Sequence, residues 1–166
     1  MNIGLSDVVH KYFPDVVPAV RPVFKDISIK EPHWLAGFTS GEGCFMVRIR
    51  KSSNENNLPK LEFIFQVTQH VRDRDLIESF ITYLSCGHLR ERKGGSAVDF
   101  FVYKTSDLNS KIIPFFEKYP VLGAKSRDYQ DFLSIISLKN NSSHLTPEGM
   151  EQIKEIQSRM NTKRID

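Results

Sequence analysis

Residues 35–43 read Leu-Ala-Gly-Phe-Thr-Ser-Gly-Glu-Gly, a run that occurs once in the 166-residue chain. Gly37 and Gly41 lie four apart, about one helical turn, with Ala36 adjoining. They form a stripe without bulk, along which another helix backbone can approach closely. Each glycine weakens a helix by about 1 kcal/mol relative to alanine, so keeping both points to close packing. A helix laid on this stripe would meet Leu35, Ala36, Gly37, Ser40 and Gly41. Leu35 and Phe38, three apart, also make a side that can face the subunit core. Glu42 falls at the negative end of the helix dipole, which disfavours a carboxylate and favours a cation beside it. Two such acids from two packed helices would repel, and a metal ion between them turns that repulsion into attraction.

Outward from this run, periodicity sets the remaining elements. Pro32 suits a helix first turn, so a helix is expected from about Glu31 to Gly41 or Glu42, with Gly43 as its stop. In Cys44–Arg50, Phe45, Val47 and Ile49 alternate with Met46, Arg48 and Arg50, the mark of a half-buried strand. Lys51–Pro59 is polar and Asn-rich, hence a loop. Lys60–His70 alternates again, with Leu61, Phe63, Phe65 and Val67 on one face, and completes an antiparallel hairpin. Leu76, Ile77, Phe80, Ile81 and Leu84 have helical spacing within Arg72–Leu84. A second hairpin joins Gly87–Arg92 to Val98–Lys104 through the turn Lys93-Gly94-Gly95-Ser96. Helices follow over Ser106–Tyr119, capped by Ser106, over Lys125–Leu138, and from Thr146-Pro147 to about Met160. Residues 1–32, with Pro14, Pro18 and Pro22, read as a short helical turn near Asp7–Phe13 and then an extended arm. Residues 33–166 form the domain proper.

Composition narrows the class. The length suits one domain with a real core, and no apolar run is long enough to cross a bilayer. Asp7, Asp15 and Asp26 argue against an acid-poor transit peptide, and no signal-peptide apolar region appears. Cys44 and Cys86 form no CxxC pair, which fits a reduced intracellular chain without a zinc cluster. A bound metal would take oxygen ligands, favouring a hard ion. With 23 basic and 20 acidic residues, the net charge of +3 is a weak signal for nucleic acid, so local placement matters more. The strands supply it. Their polar faces collect Met46, Arg48, Arg50, Lys60, Glu62, Gln66, Thr68, His88, Arg90, Arg92 and Asp99, with Phe101 and Tyr103 on the same parity as Asp99. A two-stranded ribbon fits the major groove of DNA, where Arg suits guanine, Gln adenine, and an acid accepts from cytosine. Lys51, Lys93, Arg159, Lys163 and Arg164 are candidates for phosphate contacts or plain solvated surface.

The run at Leu35–Gly43 resembles the signature of the LAGLIDADG homing endonucleases, departing from it at Phe38, Thr39, Ser40 and Gly41 and carrying Glu as the final acid. Phe65-Gln66-Val67-Thr68-Gln69 resembles the family segment that supplies a polar active-site residue. Pro120-Val121-Leu122-Gly123-Ala124-Lys125 resembles the segment that carries a lysine near the scissile phosphate. The likeness covers most of residues 33–138. It implies an α+β, αββαββα fold, with a saddle of antiparallel strands over double-stranded DNA and helices behind. It further implies magnesium-dependent strand hydrolysis (calcium or manganese taking the same place), with the Glu42 carboxylate and the Gly41 carbonyl as metal ligands. Gln69 would position water and Lys125 would stabilise charge or organise solvent. Cutting two strands calls for two such acids, so one motif implies a homodimer on a near-palindromic site with short 3′ overhangs, or a matching half-protein. Residues 1–32 look like the arm joining the halves of two-motif members. Relatives with this fold also act as intron RNA-splicing maturases, the alternative function. Intron residence would imply an organellar, mitochondrial location.

Overall fold

The computed structural model describes residues 5–17, 27–50 and 59–161. Its elements follow the expected order: α1 (Asp7–Tyr12), α2 (Pro32–Glu42), β1 (Gly43–Arg50), β2 (Lys60–His70), α3 (Arg74–Leu84), β3 (His88–Glu91) and β4 (Ala97–Val102). Then come α4 (Thr105–Asp107), a π-helical turn at Leu108–Ile112, α5 (Ile113–Lys118), α6 (Ala124–Asn140) and α7 (Pro147–Ser158). The αββαββα core is therefore present, with α7 added behind it.

The four strands form one antiparallel sheet in the order β1-β2-β4-β3. Alternation decides its two faces. One presents Phe45, Phe63, Phe65, Val67, Val98 and Phe100, all buried. The helices roof this face through aromatic contacts. Phe80 of α3 meets Phe100 at 5.6 Å between centroids, Phe116 of α5 meets Phe65 at 5.2 Å, and Phe132 of α6 meets Phe63 at 5.5 Å. Each such ring contributes roughly 1.5–3 kcal/mol through burial. The other face carries the polar residues.

Several details differ from expectation. Gly43 does end α2, but with an extended backbone (φ −77°, ψ 159°) that runs straight into β1. Glycine is needed there for space, because a Cβ would lie 2.5 Å from Thr39 Cγ2 and 2.6 Å from the Thr39 carbonyl oxygen. The helix expected over Ser106–Tyr119 is broken by the π turn, and Lys104, not Ser106, is its N-cap residue. Pro114 explains the widening, since it has no amide to give the Ser110 carbonyl. The second hairpin is shorter than expected. Arg92 already belongs to its turn, donating its backbone N–H to the Ala97 carbonyl at 3.0 Å, and Tyr103 lies just past β4. Thr146 caps α7 as anticipated, accepting from the Gly149 N–H at 3.1 Å.

Candidate functional site

Two regions carry the predicted site residues. The first is the corner where α2 meets β1. Glu42 and Gly41 are exposed at the tip of α2. Among the described residues, the Glu42 side chain takes part in no hydrogen bond or ion pair. Gly43 pairs with Val67, so the last residues of β2 run past the start of β1, level with the helix tip. Gln69 lies in that overhang, half-buried and opposite Val98. The segment preceding α6 is tied to the same corner. Ser40 Oγ accepts from the Leu122 N–H at 2.9 Å and donates to the Ala36 carbonyl at 2.8 Å.

Lys125, in the first turn of α6, has a side chain only 17% exposed and an ammonium 3.8 Å from Asp128 Oδ2. Its charge reaches Cys44, two residues beyond Glu42. Burial pushes the Cys44 thiol up, and Lys125 offsets part of that rise. The protonated thiol donates to Asn161 Oδ1 at 3.3 Å. Asn161 in turn donates from its backbone to Asp128 at 2.9 Å and from its amide to the Phe45 carbonyl at 3.1 Å. Asp128 and Asn161 thus hold the lysine side of the corner, and the sequence reading missed both. The Lys125–Asp128 spacing of three residues was a readable helix pair; Asn161 has no local signal.

The second region is the polar face of the sheet. Arg48, Arg50, Lys60, His88, Arg90 and Arg92 are exposed on it, with Met46, Glu62, Gln66, Thr68 and Phe101 half-buried between them. A cleft of about 420 Å³ opens here, lined by Arg48, Arg50, Glu62, Gln66, Arg90, Phe101 and Tyr103 among others. Arg50 pairs with Glu62 at 2.8 Å, and Arg48 Nε lies 3.2 Å from Met46 Sδ. His88, Phe101 and Tyr103 form an aromatic row with centroids 5.7–5.9 Å apart.

The family model for LAGLIDADG endonucleases matches residues 35–136, which takes in both regions. The chain belongs to the LAGLIDADG endonuclease family. It is 37% identical over 154 residues to a probable intron-encoded endonuclease of Neurospora crassa, covering 92% of this chain and 29% of that protein. It superimposes on the LAGLIDADG homing endonuclease I-SmaMI bound to cleaved DNA with a TM-score of 0.90 and 40% identity, over 99% of this chain and 55% of that one. I-LtrWI bound to target DNA gives a TM-score of 0.89 and 42% identity, again over 99% and 55%. I-SmaMI has also been solved on uncleaved DNA in the presence of calcium ions, and matches with a TM-score of 0.87 and 40% identity over 95% and 54%. The chain therefore spans little more than half the length of these LAGLIDADG structures, and less of the Neurospora protein.

Within this LAGLIDADG frame, some predicted assignments need correction. Leu35 and Ala36 are buried within the chain's own core and cannot line an interface. Helical geometry turns Leu35, Ala36 and Thr39 inward, which leaves Gly37 and Gly41 as the outward stripe, each with no atom within 4 Å of an added Cβ. Asp99 is 0% exposed rather than open to a base. It accepts from Arg92 Nε at 3.0 and 3.1 Å, Thr68 Oγ1 at 2.7 Å, Gln66 Nε2 at 3.1 Å and Arg90 Nη2 at 3.2 Å. Burial pushes the Asp99 carboxyl up, but the bonds from Arg92, Thr68 and Arg90 outweigh it and hold the group below the usual aspartate range. Gln66 gives its amide hydrogens to Asp99 and Thr68, so it offers adenine no bidentate pair. Arg159 lies against Asp131, with Nη2 2.8 Å from Oδ1. Lys51, Lys163 and Arg164 lie outside the described residues.

The corner also bears on metal binding. No group of three or more His, Cys, Asp or Glu able to hold a metal occurs among the described residues. One chain offers an exposed carboxylate beside helix-end carbonyls. That oxygen set fits a hard divalent ion. No helix among the described residues is long and apolar enough to cross a membrane.

Proposed function

We propose that two copies of this unit pair through the outward faces of α2 and cut both strands of a long, near-palindromic DNA site, leaving short 3′ overhangs. The observation that carries this reading is Glu42, exposed and without a partner among the described residues, at the tip of a helix whose open face is glycine-lined. The sheet face would lie in the major groove, with Arg48, Arg50, Lys60, His88 and Arg90 toward the DNA and Met46, Phe101 and Tyr103 touching sugars or thymine methyls. The Glu42 carboxylate and Gly41 carbonyl of each copy would hold magnesium, with calcium or manganese able to stand in. Bound there, the metal would supply charge neutralisation at the scissile phosphate. Gln69 would orient water, and Lys125, held by Asp128, would stabilise the charge that develops on the phosphate.

The chain spans 55% of the I-SmaMI chain, which favours one further reading, in which the second motif helix comes from a matching half instead of an identical copy. Residues 1–32 would then be the arm between halves, and α1, with no buried residue, suits that role. Kinship to an intron-encoded protein supports an intron origin and, with it, an organellar site of action.

Glu42→Gln keeps the size of the side chain and removes its charge. Cutting is expected to fall by more than about a hundredfold, beyond the 10–100-fold seen for losing a metal ligand's supporting partner, while DNA binding persists. Cutting at the wild-type rate rejects the assignment. Solution mass, with and without DNA, separates a pair of identical copies from a monomer awaiting another half.

A further inference from the structure

We infer that Asp99 is a positioning residue that sets base preference: it locks Arg92 into the sheet and aims Arg90 at a guanine. The inference rests on the DNA-reading role of the sheet and divides labour between two arginines that look alike in sequence. An arginine carries five N–H donors arranged as two forks, Nε with Nη2 and Nη1 with Nη2. Guanine is read by one intact fork on its O6 and N7 atoms.

Arg92 is tied down more heavily than Arg90. Its Nε bonds both Asp99 oxygens, at 3.0 and 3.1 Å, and its Nη2 lies 2.8 Å from Asp99 Oδ1, so the first fork is committed. The same Nη2 donates to Thr68 Oγ1 at 3.0 Å, so two of the three guanidinium nitrogens are held within the protein. Among the described residues Nη1 alone bonds nothing, which suits a phosphate oxygen better than a base edge.

Arg90 is different. Among the described residues its one hydrogen-bond acceptor is Asp99 Oδ2, reached through Nη2 at 3.2 Å. Whichever Nη2 hydrogen makes that bond, the other completes an intact fork. The guanidinium also lies over the Phe101 ring at 5.2 Å, which restrains its plane. Its side chain is 60% exposed, and it lines the cleft on the polar face. A buried carboxylate on one side and a ring beneath thus hold a solvent-facing fork in place. Ordering before contact lowers the entropy cost of recognition.

The test selects bound sequences from a randomised duplex library with the full chain, Asp99→Asn and Arg90→Ala, and follows affinity against salt. The wild-type chain should recover sites with guanine favoured by about tenfold or more at one fixed position. Asp99→Asn should lose most of that preference while binding non-specific DNA within about twofold of wild type, a pattern that general loosening of the sheet would not produce. Arg90→Ala should lose the same guanine and no other base. Asp99→Asn protein that keeps the preference overturns the inference. Arg90→Ala protein that keeps it, and merely reduces the salt slope by about one as a phosphate contact would, overturns it too, even if Asp99→Asn fails to fold. Wild-type protein that recovers no preferred sequence removes the DNA-reading role itself, and the inference falls with it.

Discussion

Two carboxylates, Glu42 at the tip of α2 and Asp99 in the middle of the sheet, sit in opposite conditions. Glu42 is exposed and without a partner among the described residues. Asp99 is fully buried and accepts from four side chains. A buried charge survives only when paired and hydrogen-bonded, so Asp99 is complete within one chain and serves its architecture. An exposed acid at the negative end of a helix gains nothing from its own fold. Under the proposed function its use lies outside the chain, with cations and a second helix. Isolation among the described residues is what proposes Glu42 as the reactive group, and a dense bonding network is what gives Asp99 a supporting role.

Three substitutions bear on that contrast. Gly37→Leu addresses the surroundings of Glu42 and should have the largest effect. Its Cβ meets nothing within 4 Å, so the single chain should fold at least as well as wild type, by up to about 1 kcal/mol from the lost glycine. Pairing of copies should weaken by more than about a hundredfold, a change sedimentation would read; unchanged association would move the interface off α2.

Asp99→Asn should destabilise the chain by roughly 1–3 kcal/mol at pH 7, the range for an unmade buried hydrogen bond. The pH dependence has a definite sign. The Asp99 carboxyl is held below its usual range, so its contribution is full above the ordinary aspartate value and fades as pH falls through the depressed one. Urea melts of wild type and variant should therefore converge below about pH 4. Curves that stay equally far apart in acid would show that shape, not charge, is what Asp99 supplies.

Glu42→Gln should have the smallest effect on folding, within about 0.5 kcal/mol of wild type, as for surface changes away from packed features. A drop of 2 kcal/mol would mean that Glu42 has a structural role and that the contrast with Asp99 is wrong.

The helix–hairpin–helix–hairpin order was legible because each segment has a clear period. Phe45, Val47 and Ile49 alternate, as do Leu61, Phe63, Phe65 and Val67, and β2 spans Lys60–His70 as the alternation predicts. The breaks in legibility have physical causes. Pro114 altered winding inside what reads as one helix. Leu35 and Ala36 flank the glycine stripe in sequence, but at about 100° per residue they turn away from it. At the candidate site, alternation placed Asp99, Arg90 and Arg92 on one face correctly. It could not show that Thr68 and Arg90 flank Asp99 in register, nor that Arg92 reaches back from the turn.

Chain order and chemistry alone were sufficient for the elements, the two-faced sheet and the acid at the helix tip, because periodicity and helix-end electrostatics are local. Which arginine keeps an open donor fork, which acid is buried, and that the Lys125–Asp128 pair sits beside the α2–β1 corner all depend on residues far apart in sequence. Such pairings exist only once strand register and helix packing bring the side chains within hydrogen-bonding reach, so no local pattern encodes them.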